Sequence, residues 1–247
     1  MKALVALLLL FGACALAEDR ELNLKELRAQ QRTLRRLAAE PGPEADREIA
    51  RRFDELDAGR LPFALWLDVL EAAAKRPDPA LRARLAERAR VEAASNDPLR
   101  AWRECLEGGD ANEGREIFHQ KPVPDCIRCH RVGKEGGEIG PNLTALSQRA
   151  QRIAILESII EPNASIVPGF SNLLVKLKDG RELAGIVSAE STDLMTLTSQ
   201  TDGKKTTFRT SDIVTETGLP SAMPPAFGQI LGKRAIRDLV EFLATQE

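Results

Sequence analysis

Cys126-Ile127-Arg128-Cys129-His130 is the stretch on which the reading of this chain turns. Two cysteines three apart lie about one helical turn from each other. A histidine follows at once. This C-x-x-C-H spacing is the attachment signature of a c-type haem. Each thiol can form a thioether to one vinyl group of the porphyrin, and the adjacent histidine is held under the iron as its proximal ligand. A dithiol redox pair needs no histidine after it. A four-ligand zinc site needs a second Cys/His pair nearby, and none stands near in a chain with four cysteines and two histidines. The motif predicts one covalent haem c on Cys126 and Cys129, with His130 on the metal.

Working outward, Gly114, Ile117 and Phe118 sit on a short helix before the motif. Gly136-Gly137 and then Gly140-Pro141-Asn142-Leu143 follow it. A helix is predicted from about Gln148 to Ile160, with Ile153, Leu156, Ile159 and Ile160 on its apolar face and Glu161-Pro162-Asn163 at its end. Residues 172–216 switch to period two. Leu173, Val175 and Leu177 alternate with polar positions, and Met195 and Leu197 share an inner face. Asp179-Gly180 and Asp202-Gly203 are two-residue hairpin signals, and Ser191-Thr192-Asp193 turns the chain between them. Ile213-Val214 adds a short fifth strand. The segment predicts a compact antiparallel meander or barrel that is not needed to bind iron. Lys233 to Thr245 reads as a closing amphipathic helix, with Ile236, Leu239, Val240 and Leu243 in phase.

Residues 18–108 read as helices. Asp19 to Ala39 is broken by Pro41-Gly42-Pro43, and Asp46 to Leu56 is closed by Asp57-Ala58-Gly59. Phe63, Leu67, Leu70 and Ala74 stripe the segment from Pro62 to Lys75. Asp78-Pro79 and Asp97-Pro98 each start a further helix, the first with Leu81, Leu85 and Ala89 in phase, the second ending at Gly108-Gly109. Residues 1–17 read as a signal peptide: Lys2, an apolar run from Ala3 to Phe11, then Ala15-Leu16-Ala17 as a small-x-small cleavage site. The run is too short to favour a membrane span. Phe11-Gly12-Ala13-Cys14 offers a competing lipoprotein reading with a lipid anchor at Cys14.

The 247 residues are 43% apolar and 29% charged, with a net charge of −2. That is ordinary for a folded soluble protein, and no basic excess points to nucleic acid. Cys105, in Trp102-Arg103-Glu104-Cys105-Leu106, reads as a buried structural thiol on a helix, with an intermolecular disulfide as the alternative. Asn142-Leu143-Thr144 and Asn163-Ala164-Ser165 match the glycosylation pattern by chance.

A helix with Gly114 and Phe118, then C-x-x-C-H, Gly140-Pro141-Asn142-Leu143, Met223-Pro224 and a C-terminal amphipathic helix resembles a class I cytochrome c. The β segment accounts for the long separation of His130 from Met223. The whole set resembles the PVC-type haem-binding domain family. Its motifs here are Gly108-Gly109-Asp110, Cys126 to His130, Gly140-Pro141, Leu156-Glu157-Ser158-Ile159, Pro168-Gly169-Phe170, Lys178-Asp179-Gly180 with Gly185, Ser221-Ala222-Met223-Pro224, and Arg237 to Leu243. The resemblance covers about 110–247. The fold expected is mainly α: an α-helical region over 18–108, then a class I cytochrome c-like helical haem domain over 109–247 with a small antiparallel β insertion at about 172–216.

The resemblance also implies roles. Pro141 accepts a hydrogen bond from His130, fixing the ring and raising its basicity. Phe118, Gly140, Pro141 and Leu143 line the haem, and Met223 is the sixth ligand. Met195 reads instead as core, and His119 as a surface histidine, with bis-histidine ligation as the competing scheme. His/Met ligation leaves no open iron position and raises the reduction potential, which favours outer-sphere electron transfer. The expected function is an exported, periplasmic monohaem carrier, or the electron-accepting partner of a separate dehydrogenase or oxidase. Two alternatives stay open: a haem peroxidase or oxidase with a displaceable Met223, and a helical protein-interaction module with a structural or sensory haem. No G-x-S-x-G context points to a hydrolase.

Overall fold

Asn23 starts the first helix by accepting the Glu26 N–H at 3.0 Å, a cap that stabilises a helix by about 1 kcal/mol. The computed structural model describes residues 23–120 and 123–247. The signal peptide expected over 1–17, with Cys14, lies outside the described residues.

The N-terminal region packs four helices, α1 (Leu24–Ala39), α2 (Pro43–Asp57), α3 (Trp66–Ala74) and α4 (Pro79–Ala93). Pro41-Gly42-Pro43 marks the start of α2 rather than a loop before it, because Pro43 fills the first helical position, where no N–H is needed. Asp78 caps α4 through the Leu81 N–H. The core here joins Leu34, Ile49, Phe53, Leu65, Val69 and Leu81. Two expectations are corrected. The stripe through Ala74 gives way to a helix buried on almost every side, at Leu67, Asp68, Val69, Leu70, Ala72 and Ala73, because α1, α2 and α4 all pack on it. In α4, of the three in-phase residues, Leu81 is fully buried, Leu85 is half-buried and Ala89 is exposed.

The helix expected after Asp97-Pro98 is a 3-10 segment, Arg100–Cys105. Cys105 is fully buried there, and its Sγ lies 3.3 Å from the Lys233 carbonyl. Then come α5 (Ala111–His119), α6 (Cys126–Cys129), the two-residue strands β1 (Arg131–Val132) and β2 (Glu135–Gly136), and α7 (Arg152–Ile160). The closing helix, α8 (Phe227–Ala244), is interrupted at Gly232, whose φ of +73° breaks the helical path. Helices α5, α7 and α8 share one core with Phe118, Leu156, Ile159, Ile236, Val240 and Phe242. On α7 it is Ile155, not Ile153, that joins Leu156, Ile159 and Ile160 in that core. Ile153 is half-buried at its margin.

Strands β3 (Asn172–Leu177), β4 (Glu182–Glu190), β5 (Leu194–Thr198), β6 (Lys205–Arg209) and β7 (Ile213–Gly218) form one antiparallel sheet in the order β6-β5-β4-β3-β7. Leu173, Val175, Leu177, Met195, Leu197 and Phe208 fill its inner face. The last strand leaves β6 and pairs with β3 at the opposite edge. Only a 3-10 turn, Thr210–Asp212, makes that crossing. Four residue steps reach at most ~14 Å, whereas the outer strands of a flat five-stranded sheet lie ~19 Å apart. The sheet therefore curls toward this end, but β6 pairs with β5 and β7 with β3, so it is an open curled sheet and the strands do not close into a barrel. The hairpin loops are longer than two residues. Gly180, at φ +88°, donates its N–H to the Leu177 carbonyl across a three-residue loop, and Gly203, at φ +69°, does the same to Ser199 across four.

The helical region is fixed to α8 by a buried charge cluster. Asp68 Oδ2 accepts from Arg237 at 2.7 Å and from the Gln31 amide at 3.1 Å, and Gln31 also donates to the Gly108 carbonyl at 2.8 Å. Arg234 joins from the partly exposed side, bonding Glu71. Among the described residues no helix is long and apolar enough to cross a membrane.

Candidate functional site

Asp125 stands in the left-handed region at φ +51°, a conformation that aspartate tolerates better than most residues. The turn it makes launches α6, a single turn that carries both motif cysteines. The His130 N–H closes that turn on the Cys126 carbonyl at 2.9 Å. The chain then folds back over the motif. Gly137 donates to Ile127 at 2.9 Å, Gly140 to Cys129 at 2.8 Å and Leu143 to Arg131 at 2.8 Å. These bonds need bare backbone. A Cβ on Gly137 would stand 1.9 Å from the Arg128 oxygen, and one on Gly140 would stand 2.6 Å from the His130 ring.

The fold-back carries Pro141 to the histidine. His130 Nδ1 lies 2.9 Å from the Pro141 oxygen. A carbonyl only accepts, so Nδ1 holds the proton and donates it. Nε2 is then left with its lone pair, and it has no hydrogen-bond partner among the described residues. Burial lowers the pKa of His130, with the bond to Pro141 opposing, so the ring is a neutral imidazole of the kind that ligates metals. Burial pushes the Cys126 thiol up to about 11 and raises Cys129 as well. Both thiols are free and partly buried.

The donor set fits a covalently held haem. Two protonated thiols sit one helical turn apart. Beside them is a neutral imidazole with its far nitrogen unbonded, and its ring is seated against a glycine where a side chain would intrude. The other residues singled out in the sequence fall around this seat. Leu143 and Met223 are half-buried against the core that also takes Cys126 and Ile127. Phe118 is 1% exposed, with its ring 5.5 Å from Phe242, which places it in the joint between α5 and α8. His119 ends α5 with Nδ1 bonded to the Arg115 carbonyl at 2.8 Å and Nε2 lying 3.3 Å from the Glu135 carboxylate. Met195 lies inside the sheet, 2% exposed. Among the described residues no three His, Cys, Asp or Glu side chains gather to hold a metal ion.

Sequence reasoning missed the residues that hold the Met223 loop. Asn163, read only as a chance glycosylation match, accepts the Ser221 N–H at 2.7 Å. Ser221 Oγ in turn accepts the Met223 N–H at 3.2 Å. Asn172 donates to the Pro220 carbonyl at 2.7 Å. The one local signal was an asparagine opening a strand, a residue depleted in strands. The sheet also touches the motif segment at the surface. Arg128, between the two cysteines, donates to the Thr201 carbonyl at 3.3 Å, and Lys205 faces Glu138 at 3.6 Å.

No curated protein matches this chain. The family model for cytochrome c matches residues 111–247, from the first residue of α5 to the C-terminus and more than half of the chain. With C-x-x-C-H on one helical turn, its histidine bonded to Pro141 and that match over the whole surrounding fold, the chain belongs to the cytochrome c family.

Proposed function

We propose that this cytochrome c is an exported monohaem electron carrier of the PVC type, held ready for a separate redox protein such as a dehydrogenase or oxidase. The observation that carries the reading is the His130–Pro141 bond at 2.9 Å, which leaves Nε2 free for iron beside two thiols one turn apart. Bound haem supplies a one-electron iron couple. The chain does the rest. Cys126 and Cys129 would hold the haem, each through a thioether made by adding its S–H across one vinyl group, with the thiol hydrogen going to the other vinyl carbon. Pro141 fixes the tautomer and direction of His130 and raises its basicity. Met223, in a loop directly before α8, is the sixth ligand, and a thioether there favours ferrous iron. Met223 packs against the same core as Cys126 and Ile127, whereas His119 turns its Nδ1 back to the Arg115 carbonyl of its own helix, which supports Met223 over a bis-histidine scheme. With His130 and Met223 both holding the metal no position would be left for a substrate, which favours outer-sphere electron transfer.

Two measurements test this. The protein is expressed with haem-maturation machinery, denatured and extracted with acidic organic solvent. One haem per chain should stay with the polypeptide, and complete extraction would sink the covalent assignment. Met223→Ala should then remove the sulfur-to-iron charge-transfer band and lower the reduction potential, while His119→Ala leaves both alone. The reverse pattern would make the iron bis-histidine ligated.

A further inference from the structure

We propose that the β insertion, through Asn172 and Gln200, positions the loop that carries Met223 and so sets how firmly Met223 stays on the haem iron. This rests on Met223 being the sixth ligand.

Residues 219–224 belong to no helix or strand, so their backbone groups find partners outside the loop or in solvent. Asn172, the first residue of β3, supplies two of those partners. Its Nδ2 donates to the Pro220 oxygen at 2.7 Å, and its own carbonyl accepts the Leu219 N–H at 2.8 Å. Because Pro220 offers only an acceptor, the amide orientation is fixed, and Oδ1 points the other way. There it accepts from Gln200 Nε2 at 2.7 Å. Asn172 is 7% exposed. Leaving a buried group unpaired is costly, so this amide has one favourable setting and the loop must follow it.

Gln200 lies in the turn between β5 and β6. The next residue, Thr201, accepts from Arg128 inside the haem motif. One hairpin therefore touches the segment that holds the proximal ligand and, through a single buried amide, the loop that holds the distal one. The exposed Arg128 contact contributes little by itself; the buried Asn172 contacts carry the effect. Asn172 and Gln200 are positioning residues, since neither has to touch the haem.

The test uses the full haem-loaded chain. The wild type, Gln200→Ala, Asn172→Leu and the control Thr207→Ala are compared by the ferric sulfur-to-iron band and by imidazole titration, which reads how easily Met223 is displaced. Thr207 pairs with Thr196 at 2.9 Å on an exposed part of the same sheet, away from Asn172. Loss of one such hydrogen bond should tighten imidazole binding about threefold to tenfold in Gln200→Ala, with a weaker band. The effect should be larger in Asn172→Leu and absent in Thr207→Ala. If Asn172→Leu does not accumulate as folded protein, Gln200→Ala against Thr207→Ala decides alone. Wild-type affinity in Gln200→Ala, or an equal shift in Thr207→Ala, overturns the positioning role while Met223 stands as ligand. A wild type without the band overturns Met223 itself, and the clamp with it.

Discussion

Gly140 shows how one missing side chain shapes the site. Its would-be Cβ meets three atoms of the His130 ring, at 2.6, 2.8 and 3.0 Å. The ring cannot stay where it bonds Pro141 if that space is filled. Gly140→Ala should therefore leave the haem covalently attached but weaken the His130–Pro141 bond. A less basic imidazole stabilises ferric iron less, so the reduction potential should rise, which protein-film voltammetry reads directly. An unchanged potential would show that the ring does not depend on this contact. Cys105 illustrates the opposite case at the same scale. It is buried away from solvent, with its pKa pushed up to about 12 by that burial, so it behaves as an apolar packing residue. The motif cysteines are only partly buried. The three thiols look alike in sequence, apart from the spacing of two of them.

At the scale of elements, the joint between α5 and α8 holds the cytochrome fold together. Gly114 lets the two helices touch backbone to backbone. A Cβ there would stand 2.0 Å from the Asp238 carbonyl oxygen and 2.7 Å from Phe242 Cβ. The first of these atoms is main chain and cannot swing aside. Arg152 reinforces the end of α8 from α7 with two bonds to Glu241, both 2.8 Å. Gly114→Ala should destabilise the protein by about 1–3 kcal/mol through forced separation of the helices, seen as a lower denaturant midpoint. Gly218→Ala, on β7 with no atom within 4 Å of its would-be Cβ, should leave the midpoint near wild type. Equal losses in the two variants would refute the close-packing account.

Across the whole molecule, Asp68 is a buried residue through which the helical region and the haem domain meet, beside the Arg28 bonds to Gly108 and Gly109. Its side chain is fully buried and bonded to Gln31 and to Arg237, itself 2% exposed. Removing one member of such a pair strands the other's charge. Asp68→Ala should cost about 3–5 kcal/mol, whereas the double variant Asp68→Leu with Arg237→Leu should recover most of that loss, because two apolar side chains need no partners. Equilibrium denaturation of both proteins checks the difference. A single variant as stable as wild type would mean that the two regions do not depend on this cluster.

The sequence by itself determined the features that are local. C-x-x-C-H, the Asp78-Pro79 helix start and the alternation in Leu173, Val175 and Leu177 each state their conformation within a few residues, because spacing along one turn or one strand fixes which side chains share a face. The Asp-Gly pairs marked where the chain turns but not the length of the loops. Gly140-Pro141 was legible only through the family resemblance, and the structure brings Pro141 back to His130 eleven positions on. Tertiary structure decided the rest. No periodicity could show that α3 would be enclosed on nearly all sides, or that β7 would cross to pair with β3. Nor could it show that Asn163 would pin Ser221, 58 residues away, or that Asn172 would bridge Gln200 and Pro220. Those are contacts between residues far apart in the chain. They depend on which surfaces the core brings together, and a hydrogen bond carries no trace of its partner in the sequence around it.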